Sequence, residues 1–203
     1  MNILVVSDVE SPSLWEYYQP EKIKSIDLIV SCGDLDPEYL SFLVTMANCP
    51  LYYVHGNHDG RYDTHPPEGC ECIENRIIVH QGVRILGLGG SHRYSGGTHQ
   101  YTQQEMEWRK RKLWKKLRKH GGIDILLTHA AASGIDDAED LAHQGFSAFT
   151  QLIDKYAPKY FVHGHIHLNC ASSRHVRRMQ YKETTIINGY ETYKFCYETG
   201  EPL

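Results

Sequence analysis

The chain has 203 residues, of which 41% are hydrophobic and 23% are charged, and its net charge at pH 7 is −4. This composition is typical of a globular protein, and we expect a single domain over residues 1–203. It argues against a membrane protein, a disulfide scaffold and a generic nucleic-acid binder, because no apolar stretch could span a bilayer, the six cysteines are scattered and the charge is acidic. The chain starts in a strand-like run without features of a signal peptide, so we expect a cytoplasmic protein.

Short β-branched and aliphatic runs alternate along the chain with segments of helical character. The strand-like runs are 2–7, 27–32, 51–56, 123–129 and 159–165, and the helical segments are 37–46, 102–120 and 145–156. Strands that are almost continuously apolar and alternate with helices predict an α/β fold whose sheet is buried on both faces.

Two further segments have the pattern of antiparallel hairpins. One covers residues 76–90 and turns at Gln81-Gly82, and the other covers residues 184–198 and turns near Gly189. Antiparallel strands beside the parallel ones predict two sheets rather than one.

The helical segment 102–120 carries a concentrated positive charge. Residues 109–119 hold eight of the 21 basic residues and no acidic residue, which leaves 13 basic against 25 acidic residues elsewhere, a net charge of −12. Two interpretations stay open, a solvated outer face and a patch that attracts a phosphate-rich substrate or nucleic acid. The apolar stripe that would bury this helix consists of Met106, Leu113, Trp114 and Leu117.

Side chains of the kind that bind metal ions follow all five strand-like runs. The carboxyl ends of the strands in an α/β sheet share one edge, where ligands bind, so these side chains are expected to meet. Each has an ordinary explanation when taken alone, such as a helix cap, but five such strand ends favour a common site. The residues are Asp8 and Glu10 after the first run, Asp34 after the second, Asn57, His58 and Asp59 after the third, His129 after the fourth, and His165 and His167 after the fifth.

This set contains too many donors for one ion and suits two ions that share a carboxylate. Two ions about 3.5–4 Å apart would clamp the attacking and leaving oxygens of a displacement at phosphorus. Asp8 and Glu10 are two residues apart, so on an extended chain their carboxylates are expected to face one spot, where a cation would relieve their repulsion.

The order of these residues resembles the signature of the calcineurin-like metallophosphoesterases, and most closely that of the small prokaryotic phosphodiesterase-type branch. The resemblance implies a four-layer αββα sandwich of two mixed β-sheets flanked by helices. It extends from the first strand to about residue 167. The matching elements are Asp8-Val9-Glu10, Gly33-Asp34, Gly56-Asn57-His58-Asp59, His129 and Gly164-His165-Ile166-His167.

The resemblance also implies a role for each residue. A hydroxide between two metal ions would attack phosphorus, and His58, oriented by Asp59, would stabilise the transition state or protonate the leaving oxygen. We expect manganese, with iron, zinc, nickel and magnesium as alternatives. Asp8, Glu10 and His167 would hold the first ion, Asn57, His129 and His165 the second, and Asp34 would bridge the two.

Glu10 departs from the family pattern, which usually has histidine at this position. We expect Glu10 to bind the first ion directly and to shift that site toward harder ions such as Mn²⁺ or Mg²⁺. The alternative is that Glu10 binds through water or not at all, which would leave the first ion weakly held.

The resemblance implies a metal-dependent hydrolase of phosphate esters, above all of small phosphodiesters. In the loop after the sixth apolar run, His92 and Arg93 are candidate substrate contacts, since arginine pairs well with phosphate, and His143 is a candidate for the pocket edge. A nuclease and a non-catalytic interaction scaffold on the same fold remain as alternatives. No membrane partner is expected, and the sequence does not predict an oligomeric state.

Overall fold

The computed structural model describes residues 1–168 and 175–198. The strands are β1 (Asn2–Ser7), β2 (Leu28–Ser31), β3 (Leu51–Tyr53), β4 (Glu71–Cys72), β5 (Arg76–His80), β6 (Val83–Leu88), β7 (Ser91–His92), β8 (Gln100–Tyr101), β9 (Ile125–Thr128), β10 (Tyr160–His163), β11 (Arg178–Tyr181), β12 (Thr184–Asn188) and β13 (Glu191–Cys196). The helices are α1 (Pro37–Ala47), α2 (Gln103–Lys112), α3 (Trp114–His120) and α4 (Ser147–Tyr156), with short 3₁₀ turns at Pro12–Leu14, Pro20–Lys22 and Asp59–Asp63. None of the helices in these ranges is long and apolar enough to cross a membrane.

The strands form two large mixed sheets. The five-stranded sheet has the order β13-β1-β2-β3-β4, and only β13 runs antiparallel to its neighbour. The six-stranded sheet has the order β11-β12-β10-β9-β6-β5, with a parallel centre and an antiparallel strand at each edge. β7 and β8 form a separate two-stranded ladder.

Side-chain alternation along β1 shows how the layers stack. Ile3 and Val5 belong to a buried cluster that also contains residues of β9, β10 and β12, so this cluster lies between the two sheets. Leu4 and Val6 point to the opposite face and pack in a cluster with α1. A third cluster joins the other face of the six-stranded sheet to α2, α3 and α4. The predicted sandwich of two mixed sheets flanked by helices is therefore confirmed.

The basic segment is helical as predicted, but it forms two helices rather than one. α2 begins with a capping box, in which the side chains of Thr102 and Glu105 bind each other's backbone amides, and it ends where the backbone changes at Leu113. Three of the four stripe residues are buried, whereas the Trp114 side chain is 53% exposed. Arg109 is buried as well, so this basic residue is not part of a surface patch.

The hairpin predicted at Gln81-Gly82 is confirmed, and both turn residues have the left-handed backbone that such a turn needs. The hairpin predicted for residues 184–198 is wrong. β12 pairs with β10 and β11, whereas β13 crosses to the other sheet and pairs with β1. Gly189 lies at the crossing, where its amide donates to the carbonyl of His163 at 2.6 Å and an added Cβ would meet Val5 at 2.5 Å.

Candidate metal centre

The loops that follow five strands bring their polar side chains together, as the sequence predicts. Asp8 follows β1, Asp34 follows β2, His129 follows β9 and His165 follows β10. Each of the four offers one ligand atom, and these atoms lie within 4.8 Å of one another. Asn57, after β3, adds its Oδ1 at 2.9 Å from Nε2 of His129.

Backbone geometry explains how side chains from separate strands reach one point. Asp8, Asp34 and His165 all have a left-handed backbone, with φ of 66°, 57° and 63°. Such a conformation costs about 1 kcal/mol or more for a residue other than glycine, and it turns each side chain out of the strand direction. Gly33, at φ 95°, lies so close to Gly56 that a Cβ added to Gly33 would be 2.1 Å from the amide nitrogen of Gly56.

His129 is at the centre of the group. Its Nε2 faces three atoms that can donate a lone pair to a metal ion: Oδ1 of Asn57 at 2.9 Å, Nδ1 of His165 at 3.1 Å and Oδ2 of Asp34 at 3.3 Å. The side chain of His129 has no exposed surface, so solvent does not screen these contacts. Unless Nε2 of His129 is protonated, this nitrogen and its three neighbours all present lone pairs to one another.

Backbone carbonyls determine which ring nitrogens carry those lone pairs. Nδ1 of His129 donates to the carbonyl of Cys32 at 2.8 Å, and Nε2 of His165 donates to the carbonyl of Ala142 at 2.8 Å. A carbonyl only accepts, so in the neutral rings the two nitrogens that face each other are both unprotonated. Lone pairs that face each other at 3.1 Å repel, and a positive charge between them removes the repulsion.

The pKa values of the two histidines agree with this requirement. Burial alone lowers the pKa of His129, but the carboxylates, led by Asp34, outweigh burial and raise the pKa to about 9. Burial, assisted by the charge on His129, lowers the pKa of His165 to about 3. The centre therefore favours one positive charge, either a proton on His129 or a metal ion. Two imidazoles, an amide and a carboxylate are a fitting donor set for a divalent transition metal.

Asp34 directs its two oxygens to opposite sides. Oδ1 accepts from the amide of His58 at 2.7 Å, and Oδ2 faces His129 at 3.3 Å. Burial raises the pKa of Asp34, but the interactions with His129 and the His58 amide outweigh burial and lower the pKa to about 2. An ionised carboxylate with divided contacts is suited to the bridging position that the sequence predicts for it.

Asp8 and His167, which the sequence predicts for the first ion, both line the pocket together with Asp34. Both oxygens of Asp8 accept from the amide of His165, at 3.1 and 3.0 Å. His167 is exposed, packs against Tyr190 with ring centroids 4.7 Å apart, and lines the same pocket as Asp8. The imidazole of His167 is not among the four side chains whose ligand atoms converge, so the donors predicted for the first ion are less closely gathered than those predicted for the second.

Glu10 does not face the spot to which Asp8 points. Its Oε1 accepts from the amide of Asp36 at 2.8 Å, and it lines a neighbouring depression that shares Asp34 and His58 with the main pocket. The expectation that Asp8 and Glu10 point the same way is wrong, because Asp8 leaves the extended conformation. Direct ligation by Glu10 stays a prediction, and it requires the carboxylate to leave the Asp36 amide.

His58 is exposed and lines the pocket, where a substrate could reach it. Asp59 is buried, and its Oδ2 accepts from the amides of Gly56 at 2.7 Å and Asp34 at 2.9 Å. Burial, followed by the charge of Asp34, raises the pKa of Asp59 to about 6. These contacts hold the turn that precedes His58, and orientation of the His58 imidazole by Asp59 stays a prediction.

The two predicted substrate contacts, His92 at the end of β7 and Arg93 directly after it, do not line the pocket. Arg93 binds both oxygens of Glu105 at 2.9 Å, and the ring of His92 packs toward Phe146 with centroids 6.0 Å apart. Tyr94 lines the pocket instead, and its hydroxyl accepts from Nδ2 of Asn57 at 3.2 Å. Sequence reasoning placed the right loop at the site but did not identify Tyr94.

The pocket has a volume of about 430 Å³ and is open to solvent. His143 lies at its edge, as the sequence suggests, with Nδ1 on Asp140 at 2.8 Å and its ring centroid 4.9 Å from that of His165. Among the described residues, no lysine or arginine lines the pocket. The lining residues are Asp8, Asp34, Asn57, His58, Tyr94, Ala142, His143, His165 and His167.

Comparison with known proteins connects this site to a family. A model of the calcineurin-like phosphoesterases matches residues 1–169. An uncharacterized protein of Haemophilus influenzae is 27% identical in an alignment of 177 positions, and the match covers 70% of this chain and 73% of that protein.

Solved structures share the fold at low sequence identity. The crystal structure of TT1561 of Thermus thermophilus superposes with a TM-score of 0.61 at 16% identity, over 94% of this chain and 89% of that chain. A second crystal structure gives a TM-score of 0.66 at 14% identity, over 95% of this chain and 93% of that chain. The family match covers most of the chain, including the residues that converge on His129. The chain belongs to the calcineurin-like phosphoesterase family, and it is a hydrolase that acts on phosphoester bonds.

Proposed function

We propose that this protein is a metal-dependent phosphodiesterase that hydrolyses small phosphodiesters and uses two divalent cations. The observation that carries the proposal is the convergence of three lone-pair donors on Nε2 of His129, which a cation would satisfy. Carboxylates together with imidazoles suit Mn²⁺, which is the ion we would supply.

Asn57, His129 and His165 would hold one ion, Asp8 and His167 would hold the other, and Asp34 would bridge them. Metal ions held by these residues would supply positive charge to the phosphate and would lower the pKa of water toward neutrality. The role of Glu10 depends on whether its carboxylate leaves the Asp36 amide, so we propose it as an additional ligand of the first ion.

Residues of the chain itself would position the proposed metal ligands and protonate the leaving oxygen. The amide of His58 holds Asp34, and the exposed imidazole of His58 is free to donate a proton to the leaving oxygen. The amide of His165 holds Asp8, and the hydroxyl of Tyr94 holds the amide of Asn57 so that its Oδ1 faces His129.

The charge of the pocket supports a diester rather than a monoester substrate. A phosphodiester carries one negative charge at neutral pH, whereas a monoester carries nearly two. Among the described residues that line the pocket there are two carboxylates and neither lysine nor arginine, so charge neutralisation depends on the cations and on histidines. This amount of positive charge matches a monoanion better than a dianion, and the open pocket leaves room for a second ester group.

The test compares the turnover of bis(p-nitrophenyl) phosphate and p-nitrophenyl phosphate by the Mn²⁺-loaded protein, its His58→Ala variant and its Asp34→Asn variant. We expect a higher kcat/KM for the diester. Loss of one general acid should lower kcat by about 10²–10⁴-fold in His58→Ala. Asp34→Asn should also lose bound manganese, which metal analysis of the desalted protein measures.

The two alternatives from the sequence give different outcomes. Preferential cleavage of single-stranded DNA over the small diester would favour a nuclease. Absence of turnover with two equivalents of metal bound would contradict the proposal and favour a non-catalytic scaffold.

A further inference from the structure

A second group of metal-binding side chains lies outside the candidate metal centre. His55 follows β3, Asp63 ends the 3₁₀ turn Asp59–Asp63, and His99 lies in the loop between β7 and β8. Each offers one ligand atom, and the three atoms lie within 4.8 Å of one another. Three segments of the chain thus place two imidazoles and one carboxylate around one point.

His99 has features that its surroundings in the protein do not explain. Its backbone is left-handed, with φ of 52°, and its ring stacks on that of His55 with centroids 4.3 Å apart and an angle of 19° between the planes. Its Nε2 is buried and lacks a hydrogen-bond partner among the described residues. A buried nitrogen without a partner destabilises the fold, so a ligand that satisfies it would stabilise this arrangement.

His55 is oriented in the manner of a metal ligand. Its Nδ1 faces Oε2 of Glu74 at 3.5 Å and Sγ of Cys72 at 4.0 Å. A carboxylate on one nitrogen of a histidine is the usual partner when the other nitrogen binds a metal. This arrangement leaves Nε2 of His55 available to an ion.

We infer that His55, Asp63 and His99 form a binding site for a further divalent transition metal, with Zn²⁺ as the best match. Zinc accepts two histidines and one carboxylate and fills its fourth position with water. Tetrahedral bonds of about 2.0–2.1 Å require ligand atoms about 3.3 Å apart, so binding would draw the three side chains inward.

The three segments also carry residues of the candidate active site. His58 and Asp59 lie between His55 and Asp63, and Tyr94 lies on the same loop as His99. The loop already touches the 3₁₀ turn, since a Cβ on Gly60 would be 2.7 Å from Oγ1 of Thr98. A bound ion would therefore link the 3₁₀ turn to the loop between β7 and β8 beside the pocket, which is a structural role separate from the reaction.

The experiment measures zinc per chain in the desalted full-length protein by mass spectrometry after loading with Zn²⁺. We expect His99→Ala to bind one equivalent fewer than the wild-type protein, and Asp63→Asn to bind this ion at least tenfold more weakly. His80→Ala is the matched control. His80 is half-buried, has an unpartnered Nε2 and contacts Tyr52, so its loss should leave the zinc content unchanged.

Asp34→Asn separates this inference from the proposed function. It should lose metal at the candidate active site and keep the ion that depends on His99, whatever the protein hydrolyses. Equal zinc content in the wild-type protein and in both cluster variants would overturn the inference. Asp63 is exposed, so Asp63→Asn tests the site even if His99→Ala does not fold.

Discussion

Tyr94 shows how one hydroxyl can determine the orientation of a proposed metal ligand. Its oxygen accepts from Nδ2 of Asn57, which leaves Oδ1 of Asn57 facing His129. We predict that Tyr94→Phe raises the Mn²⁺ concentration needed for half-maximal hydrolysis by roughly 10–100-fold, as is typical when a partner of a metal ligand is lost. A manganese titration of activity measures this concentration. Tyr17→Phe, at a residue that is 73% exposed, is the control, and equal midpoints for both variants would contradict the prediction.

His129 makes the stability of the metal-free protein depend on pH. Its pKa rises from 6.5 to about 9 on folding, so the folded state binds the proton more tightly than the unfolded state. The resulting stabilisation is complete below about pH 6.5 and is lost as pH rises through 9. We predict that the difference in unfolding free energy between the wild-type protein and His129→Gln in EDTA shrinks from about pH 6 to about pH 9. Urea unfolding measures this difference, and a constant or growing difference would contradict the assignment.

At the scale of elements, Arg109 attaches α2 to the six-stranded sheet. Its guanidinium pairs with Glu74 and donates to the carbonyl of Gly89 at 2.8 Å and to Oδ1 of Asn75 at 2.9 Å. Burial raises the pKa of Glu74, but His55 and Arg109 outweigh burial and lower the pKa to about 2, so the buried carboxylate is ionised.

We predict that Arg109→Ala destabilises the protein by about 3–5 kcal/mol, because it leaves the Glu74 carboxylate with one cationic partner fewer. Arg111→Ala, on the same helix, removes only a surface pair with Glu107 and should change stability by less than about 1 kcal/mol. Urea unfolding of both variants measures the difference, and similar losses would show that Arg109 has no special role.

Elements and their order could be predicted from the sequence where one physical rule dominates. Apolar runs identified β1, β2, β3, β9 and β10, and the meeting of strand ends identified Asp34 and His129 as neighbours. The crossing from β12 to β13 was missed because a strand–Gly–strand pattern does not say which sheet each strand joins. The direction of Glu10 was predicted wrongly, and Tyr94 was missed, for a different reason. Their directions depend on a left-handed residue at Asp8 and on Gln100, whose Oε1 accepts from three amides of the Tyr94 loop.

At the scale of the whole molecule, we propose that the chain folds as one domain. The cluster between the sheets contains side chains from both, and the backbone at Met1 bonds to that at Tyr197. Separation of the two sheets would expose the side chains of this cluster to water. We predict a single calorimetric unfolding transition with equal calorimetric and van't Hoff enthalpies for the metal-free protein. Two separate transitions would show that the sheets are independent units.

The pairing of β1 with β13 has a consequence for the order of events during synthesis. β1 leaves the ribosome early, but one edge of it stays unpaired until residues 191–196 have been made. The carboxylate of Asp8 likewise lacks its partner, the amide of His165, until the chain has been extended by a further 157 residues. Contacts of such long range make folding slow, and they delay assembly of the candidate metal centre until most of the chain is made. A nascent chain therefore cannot capture metal at this centre before the two sheets have closed on each other.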